Sequence, residues 1–121
     1  MADKKSTLFV MQHAPIGSRS ARDGVEALMA FAAFEQPVSI LFVGQGAFQL
    51  LQNQASEAVG LKPHSKLLAA LALYDIDNIY ICAQTLKELG LSNQPLCISV
   101  QPLAASEIND LIAEHQSVLC F

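Results

Sequence analysis

Five short apolar runs, separated by stretches of helical or turn character, set the strongest limit on how this chain can fold. They are Thr7–Met11, Val38–Val43, Ile79–Cys82, Leu96–Val100 and Ser117–Phe121. None keeps the strict apolar–polar alternation of a strand with one wet face. Short continuous apolar runs read as strands buried on both faces, as in parallel sheets. Between them, Val25, Leu28, Met29, Ala32 and Ala33 repeat at helical spacing and stop before Pro37, with Ser20 as the expected cap and Asp23 three residues on. Gln84–Leu89 reads as a short helix stopped by Gly90, and a last helix begins near Ser106 and runs to about Glu114. Strands alternating with helices imply right-handed crossovers in a parallel sheet. The expected fold is α/β: one five-stranded parallel sheet with helices on both faces and the flavodoxin-like order 2-1-3-4-5.

The 121 residues make one domain, 1–121, with no linker, repeat or low-complexity segment. Apolar residues are 52% of the chain and charged residues 15%, against about 25% charged in an average domain. A surface so short of charge predicts association, and whether the isolated chain forms a homo-oligomer stays open. Leu67–Tyr74 would form a helix apolar all round. It is roofed either by its own domain or by a partner. The shortage of covering elements favours a partner. The expected interface is therefore Leu67, Leu68, Leu71 and Tyr74, with Phe48, Leu50 and Leu51 beside them. The net charge of −4 comes without any Lys/Arg block, which argues against a direct grip on nucleic acid. Met1–Ser6 leads into no secretory h-region, and the longest apolar run, the 8 residues Leu67–Tyr74, is too short to span a bilayer. A cytoplasmic, membrane-free protein is expected. Its 3 cysteines would then be reduced thiols, and they match no CxxC or zinc spacing.

Ligands of open α/β sheets bind at the carboxyl ends of the strands. Four segments belong there: His13–Arg22, Gly44–Phe48, Cys82–Thr85 and Pro102–Ala104. Cys82 closes a strand and precedes a helix, whose unpaired amides and positive dipole end favour a thiolate. It is either an acceptor of sulfane sulfur or an inert strand-end cysteine. Cys97 and Cys120, inside apolar runs, are expected in the core. Gly44-x-Gly46 lacks the third glycine of a dinucleotide site and any P-loop lysine, so it reads as a tight turn. His13 is a loop histidine or a proton shuttle for a thiol at the mouth. With His64 and His115 far from it in sequence, no metal site is expected. Ser18 and Ser20 have no histidine–acid partner at a recognisable spacing. Arg19 and Arg22 read as solvated or as contacts for an anion or an acidic partner. No cofactor is expected.

Taken in order, several of these stretches resemble one family. They are Arg22-Asp-Gly24 with Glu26-Ala-Leu28, the run Val43–Leu51, Lys66-Leu-Leu68, Leu73-Tyr-Asp-Ile76, Ile81–Leu86, Gly90-Leu91 and the terminal Phe121. The chain resembles the DsrE/DsrF-like family, in its TusC/DsrF branch, over nearly its whole length. The resemblance implies a heterohexamer with TusB-like and TusD-like subunits. It also implies a relay that passes persulfide sulfur to a downstream carrier protein for 2-thiolation of the tRNA wobble uridine. In the sulfur-oxidiser branch the corresponding role lies in dissimilatory sulfur oxidation. Cys82 matches the family's strand-three cysteine. The resemblance assigns the acceptor role there to the D-type subunit, which makes the present chain a structural subunit of a sulfurtransferase complex. Two other readings stay open: a sulfurtransferase that uses Cys82 itself, and a small-ligand binding module.

Overall fold

The computed structural model describes residues 6–14, 19–51, 68–71, 76, 78–92 and 96–121. The elements run β1 (Thr7–Met11), α1 (Ser20–Ala33), β2 (Val38–Phe42), a 3-10 segment (Gly44–Leu50), β3 (Ile79–Cys82), α2 (Ala83–Glu88), β4 (Gln101–Leu103), α3 (Ala105–Glu114) and β5 (Ser117–Cys120). All four strand pairs are parallel, so the expected parallel α/β sheet is what the chain forms.

The expected strand order is corrected. It is β4-β3-β2-β1-β5, not 2-1-3-4-5. The chain steps one strand at a time from β1 to β4, then crosses back to place β5 beside β1. Right-handed crossovers tie direction of travel to face. The first crossovers therefore put α1 and α2 on one face, and the return puts α3 on the other. The packing agrees. Val25 and Leu28 of α1 join Phe9, Met11, Ile40, Phe42 and Ile81 in the main core, and Leu86 of α2 packs on it. Leu111 of α3 joins Leu8, Val10, Leu41 and Leu103 in a smaller one.

The fourth strand is also displaced. The apolar run Leu96–Val100 is not in the sheet; the strand is Gln101–Leu103. Leu96 instead bridges antiparallel to Leu51, and the Cys97 amide donates to the Leu50 carbonyl at 2.8 Å. Leu96, Cys97, Ile98 and Val100 pack on the main core, which accounts for their apolar character. Pro102 is tolerated in β4 because the strand is an edge.

Helix ends follow local chemistry. Gly90, at φ +68, ends α2 with its amide on Lys87 and the Leu91 amide on Leu86, the Schellman pattern. α1 ends with the same pair of bonds but with Glu35 at φ +59. At the start of α1 the cap position falls on Arg19, not Ser20, and no side chain caps it.

The interface expectation needs correction at three positions. Leu50, Leu68 and Leu71 lie fully inside the chain's own main core, so the domain roofs them itself. Phe48 and Leu51 are half-buried against the same core. Leu67 and Tyr74 lie outside the described residues.

Candidate functional site

The corrected order moves the mouth of the sheet. Helices α2 and α3 follow neighbouring strands, β3 and β4, onto opposite faces. The carboxyl ends of those two strands therefore lie between helices that leave on opposite faces, at the carboxyl edge of the sheet where α/β proteins bind ligands. Cys82 is the last residue of β3 and pairs with Leu103, the last of β4. It is half-buried and occupies the cap position of α2, yet its side chain makes no capping hydrogen bond. Strand alternation puts it on the same side as Tyr80, which packs in the smaller core under α3. The thiol thus sits beside α3's entry. There Glu107 Oε1 accepts the Ala104 amide proton at 2.9 Å.

Two contacts stitch the neighbouring loops together. The Gly44 amide donates to Thr85 Oγ1 at 3.1 Å, tying the segment after β2 to the first turn of α2. Gln49, fully buried, donates from Nε2 to the His13 carbonyl at 2.9 Å and so holds the end of β1 to the 3-10 segment. Gly46 makes that packing possible, since a Cβ there would run into the backbone carbonyl of Met11. The Gly44-x-Gly46 stretch is thus a packing turn, as its sequence suggests.

The other sequence candidates are scattered. His13 is exposed at the end of β1, with β2 intervening before β3, and the structure does not bring it to Cys82. Arg19 forms an exposed pair with Asp23 at 3.5 Å, an ordinary solvated contact. Cys97 is half-buried; burial pushes its thiol pKa up, and a backbone hydrogen bond offsets part of that rise. Cys120, expected in the core, is exposed because β5 is an edge strand. His64 and Ser18 lie outside the described residues. Among the described residues no group of His, Cys, Asp and Glu could hold a metal ion, and no helix is long and apolar enough to cross a membrane.

Sequence reasoning missed Thr85 and Gln49. Both fall in family-like stretches, Ile81–Leu86 and Val43–Leu51, but their roles depend on partners 41 and 36 positions away. Only the buried placement of a polar side chain marks them. Chemically, the arrangement offers a half-buried thiol at the carboxyl edge of the sheet, uncommitted to capping and framed by loops that are fixed to one another.

Known proteins match the chain along nearly its whole length. The model of the DsrE/DsrF-like family matches residues 5–121. A protein of Shigella flexneri named "Protein TusC" is 34% identical over 118 residues, covering 97% of this chain and 99% of that one. A "Protein TusC homolog" of Vibrio parahaemolyticus is 30% identical over 113 residues, covering 93% and 96%. The crystal structure of the ychN protein from E. coli superposes with a TM-score of 0.84 over 97% of this chain and 99% of that one. At 18% identity it speaks for the fold alone.

Proposed function

The chain belongs to the DsrE/DsrF-like family, and on that premise we propose that it is the TusC-type subunit of a cytoplasmic sulfur relay. The observation that carries this reading is end-to-end similarity to proteins named TusC. In the proposed assembly it joins TusB-like and TusD-like subunits in a heterohexamer. That complex receives persulfide sulfur and hands it to a carrier protein for 2-thiolation of the tRNA wobble uridine. The absence of any Lys/Arg block fits a protein that serves tRNA through intermediaries. The apolar area available for assembly includes Phe34, which is 79% exposed, with Ile112, Val118 and Leu119. Phe48 and Leu51 complete the proposed contact set.

Any transfer through Cys82 is a thiol exchange at sulfane sulfur. The Cys82 thiolate attacks the outer sulfur of a donor persulfide. A new S–S bond forms on Cys82 as the donor S–S bond breaks, and the donor leaves as a thiolate that takes up the displaced proton. No external oxidant or reductant is consumed. The placement of Cys82 at the carboxyl edge of the sheet, where ligands of α/β proteins bind, favours a second reading, in which this thiol is itself an acceptor.

Co-expression with TusB-like and TusD-like subunits tests assembly, read as the mass of the purified complex. Recovery of this chain alone would remove the relay-subunit reading. Complementation of a strain lacking the subunit then separates the roles. Cys82→Ser is expected to leave the complex assembled and reduce tRNA thiolation in part. Complete loss of thiolation in an assembled complex makes Cys82 catalytic.

A further inference from the structure

Cys82 is a joint: β3 fixes it from one side and the first turn of α2 from the other. That turn is short of fastenings. α2 spans 6 residues, and its cap residue supplies no side-chain hydrogen bond. Besides the packing of Leu86 on the main core, a hydrogen bond reaches it from elsewhere, the Gly44 amide donating to Thr85 Oγ1 at 3.1 Å. Thr85 is only 7% exposed while Gly44 is exposed, so the bond is part-buried, with its acceptor end shielded from water. It stands three residues after Cys82, on the first turn of α2. Gly44 follows Val43, which continues β2 past Phe42, the partner of Ile81. The contact therefore fastens the loop beside Cys82 to the helix that starts at Cys82.

We propose that Thr85 is a positioning residue for Cys82: its hydroxyl, by accepting the Gly44 proton, holds the β3–α2 joint and sets the presentation of the thiol. The proposal deepens the sulfur-relay reading and rests on it for its biological meaning. Its physical content is independent. Losing the bond frees the first turn of α2 to open locally, and a half-buried thiol at that joint becomes more accessible.

The test is residue-resolved alkylation of the full chain by iodoacetamide, read by mass spectrometry, with Cys120 as internal control on the far edge strand. Thr85→Val keeps the shape and removes the acceptor. It is expected to speed Cys82 modification about fivefold, the change in a local opening equilibrium when one hydrogen bond of ordinary strength is lost. Thr85→Ser, which retains the hydroxyl, is expected to restore the wild-type rate. If Thr85→Val does not fold, Thr85→Ala serves in its place, because it leaves room for water to take the Gly44 proton. An unchanged Cys82 rate, or a parallel rise at Cys120, overturns the proposal; the second outcome would mean general loosening. Sulfur uptake by Cys82 from a small-molecule persulfide is measured separately. If no sulfur is taken up, the relay role of Cys82 fails while the alkylation result on Thr85 stands.

Discussion

The imidazole Nε2 of His115 lies 2.9 Å from the hydroxyl of Ser39, linking the end of α3 to the start of β2 across 76 positions. The other ring nitrogen, Nδ1, is 2.7 Å from the Leu111 carbonyl. A carbonyl can only accept, so Nδ1 carries a proton. In the neutral ring Nε2 then accepts from Ser39. Ser39 is buried, and the pair fastens α3, the helix that, among the described residues, covers the second face of the sheet. Ser39→Ala leaves Nε2 without its donor in a half-buried place. The expected cost is about 1 kcal/mol, or a melting point lower by about 4 °C in a domain of this size. His115→Ala, which loses both bonds, should cost more than Ser39→Ala. Equal melting points for wild type and Ser39→Ala would show that the contact contributes nothing.

Glu35 holds the left-handed position that closes α1, at φ +59. Side chains with a Cβ are disfavoured there, and glycine is the usual occupant. Glu35 is exposed, so its side chain is not required for packing. Glu35→Gly should therefore stabilise the protein by about 0.5–1 kcal/mol, the relief of strain exceeding the added freedom of the unfolded chain. Urea denaturation measures this, and a lower midpoint in the variant would refute it.

Gly46 presses against the end of β1, where an added Cβ would overlap the Met11 carbonyl. The clash is with backbone, so no rotamer change relieves it. Gly46→Ala should displace the 3-10 segment from β1, break the contact between Gln49 and the His13 carbonyl, and cost more than about 3 kcal/mol. Soluble Gly46→Ala protein with wild-type thermal stability would contradict the close approach.

The parallel α/β class was legible because Thr7–Met11 and Val38–Phe42 are buried at every position and read as apolar runs. The order of strands was not. Sequence shows that β5 follows α3, but not which edge of the sheet it joins. That choice is made by side chains distant in sequence, such as Phe121 stacking on Phe9 at 6.0 Å. Leu96–Val100 misled for a related reason: packing beside a core demands the same residues as a strand inside it. Cys82 was legible as a strand-end thiol, whereas its pairing with the end of β4, between helices on opposite faces, depended on that undetermined order. Its fastening through Thr85 and Gly44 was invisible to any local pattern.

Leu68 shows how an apolar stripe can be read two ways. An all-apolar helix suits a subunit interface or a roofed core, and the structure puts Leu68 and Leu71 in the core. Leu68→Ala should accordingly cost about 2–5 kcal/mol through the cavity it leaves. Leu68→Glu should fail to fold rather than yield a folded monomer. Purified, cooperatively melting Leu68→Glu protein with altered association would return this helix to the interface.

Cys97 gives the chain a predictable response to alkaline pH. Burial raises its thiol pKa above the ordinary value, and a backbone hydrogen bond lowers it by a smaller amount. The Sγ lies 3.9 Å from the Gln49 carbonyl, a weak acceptor contact that only the protonated thiol can donate to. The unfolded chain therefore releases this proton at a lower pH than the folded one. Below the unfolded value both states hold the proton, and the contribution of Cys97 to stability is complete. As pH rises between the two values, the unfolded state binds fewer protons and stability falls with each further increase. Denaturation midpoints should thus decline on the alkaline side, and Cys97→Ala, compared with itself across the same range, should lose part of that slope. The same protonation state slows nucleophilic chemistry, because the thiolate is the reactive form. Near neutral pH Cys97 should be alkylated far more slowly than exposed Cys120. Modification of Cys97 at the rate of Cys120 in the folded protein would show that the thiol is neither shielded nor held in its protonated form.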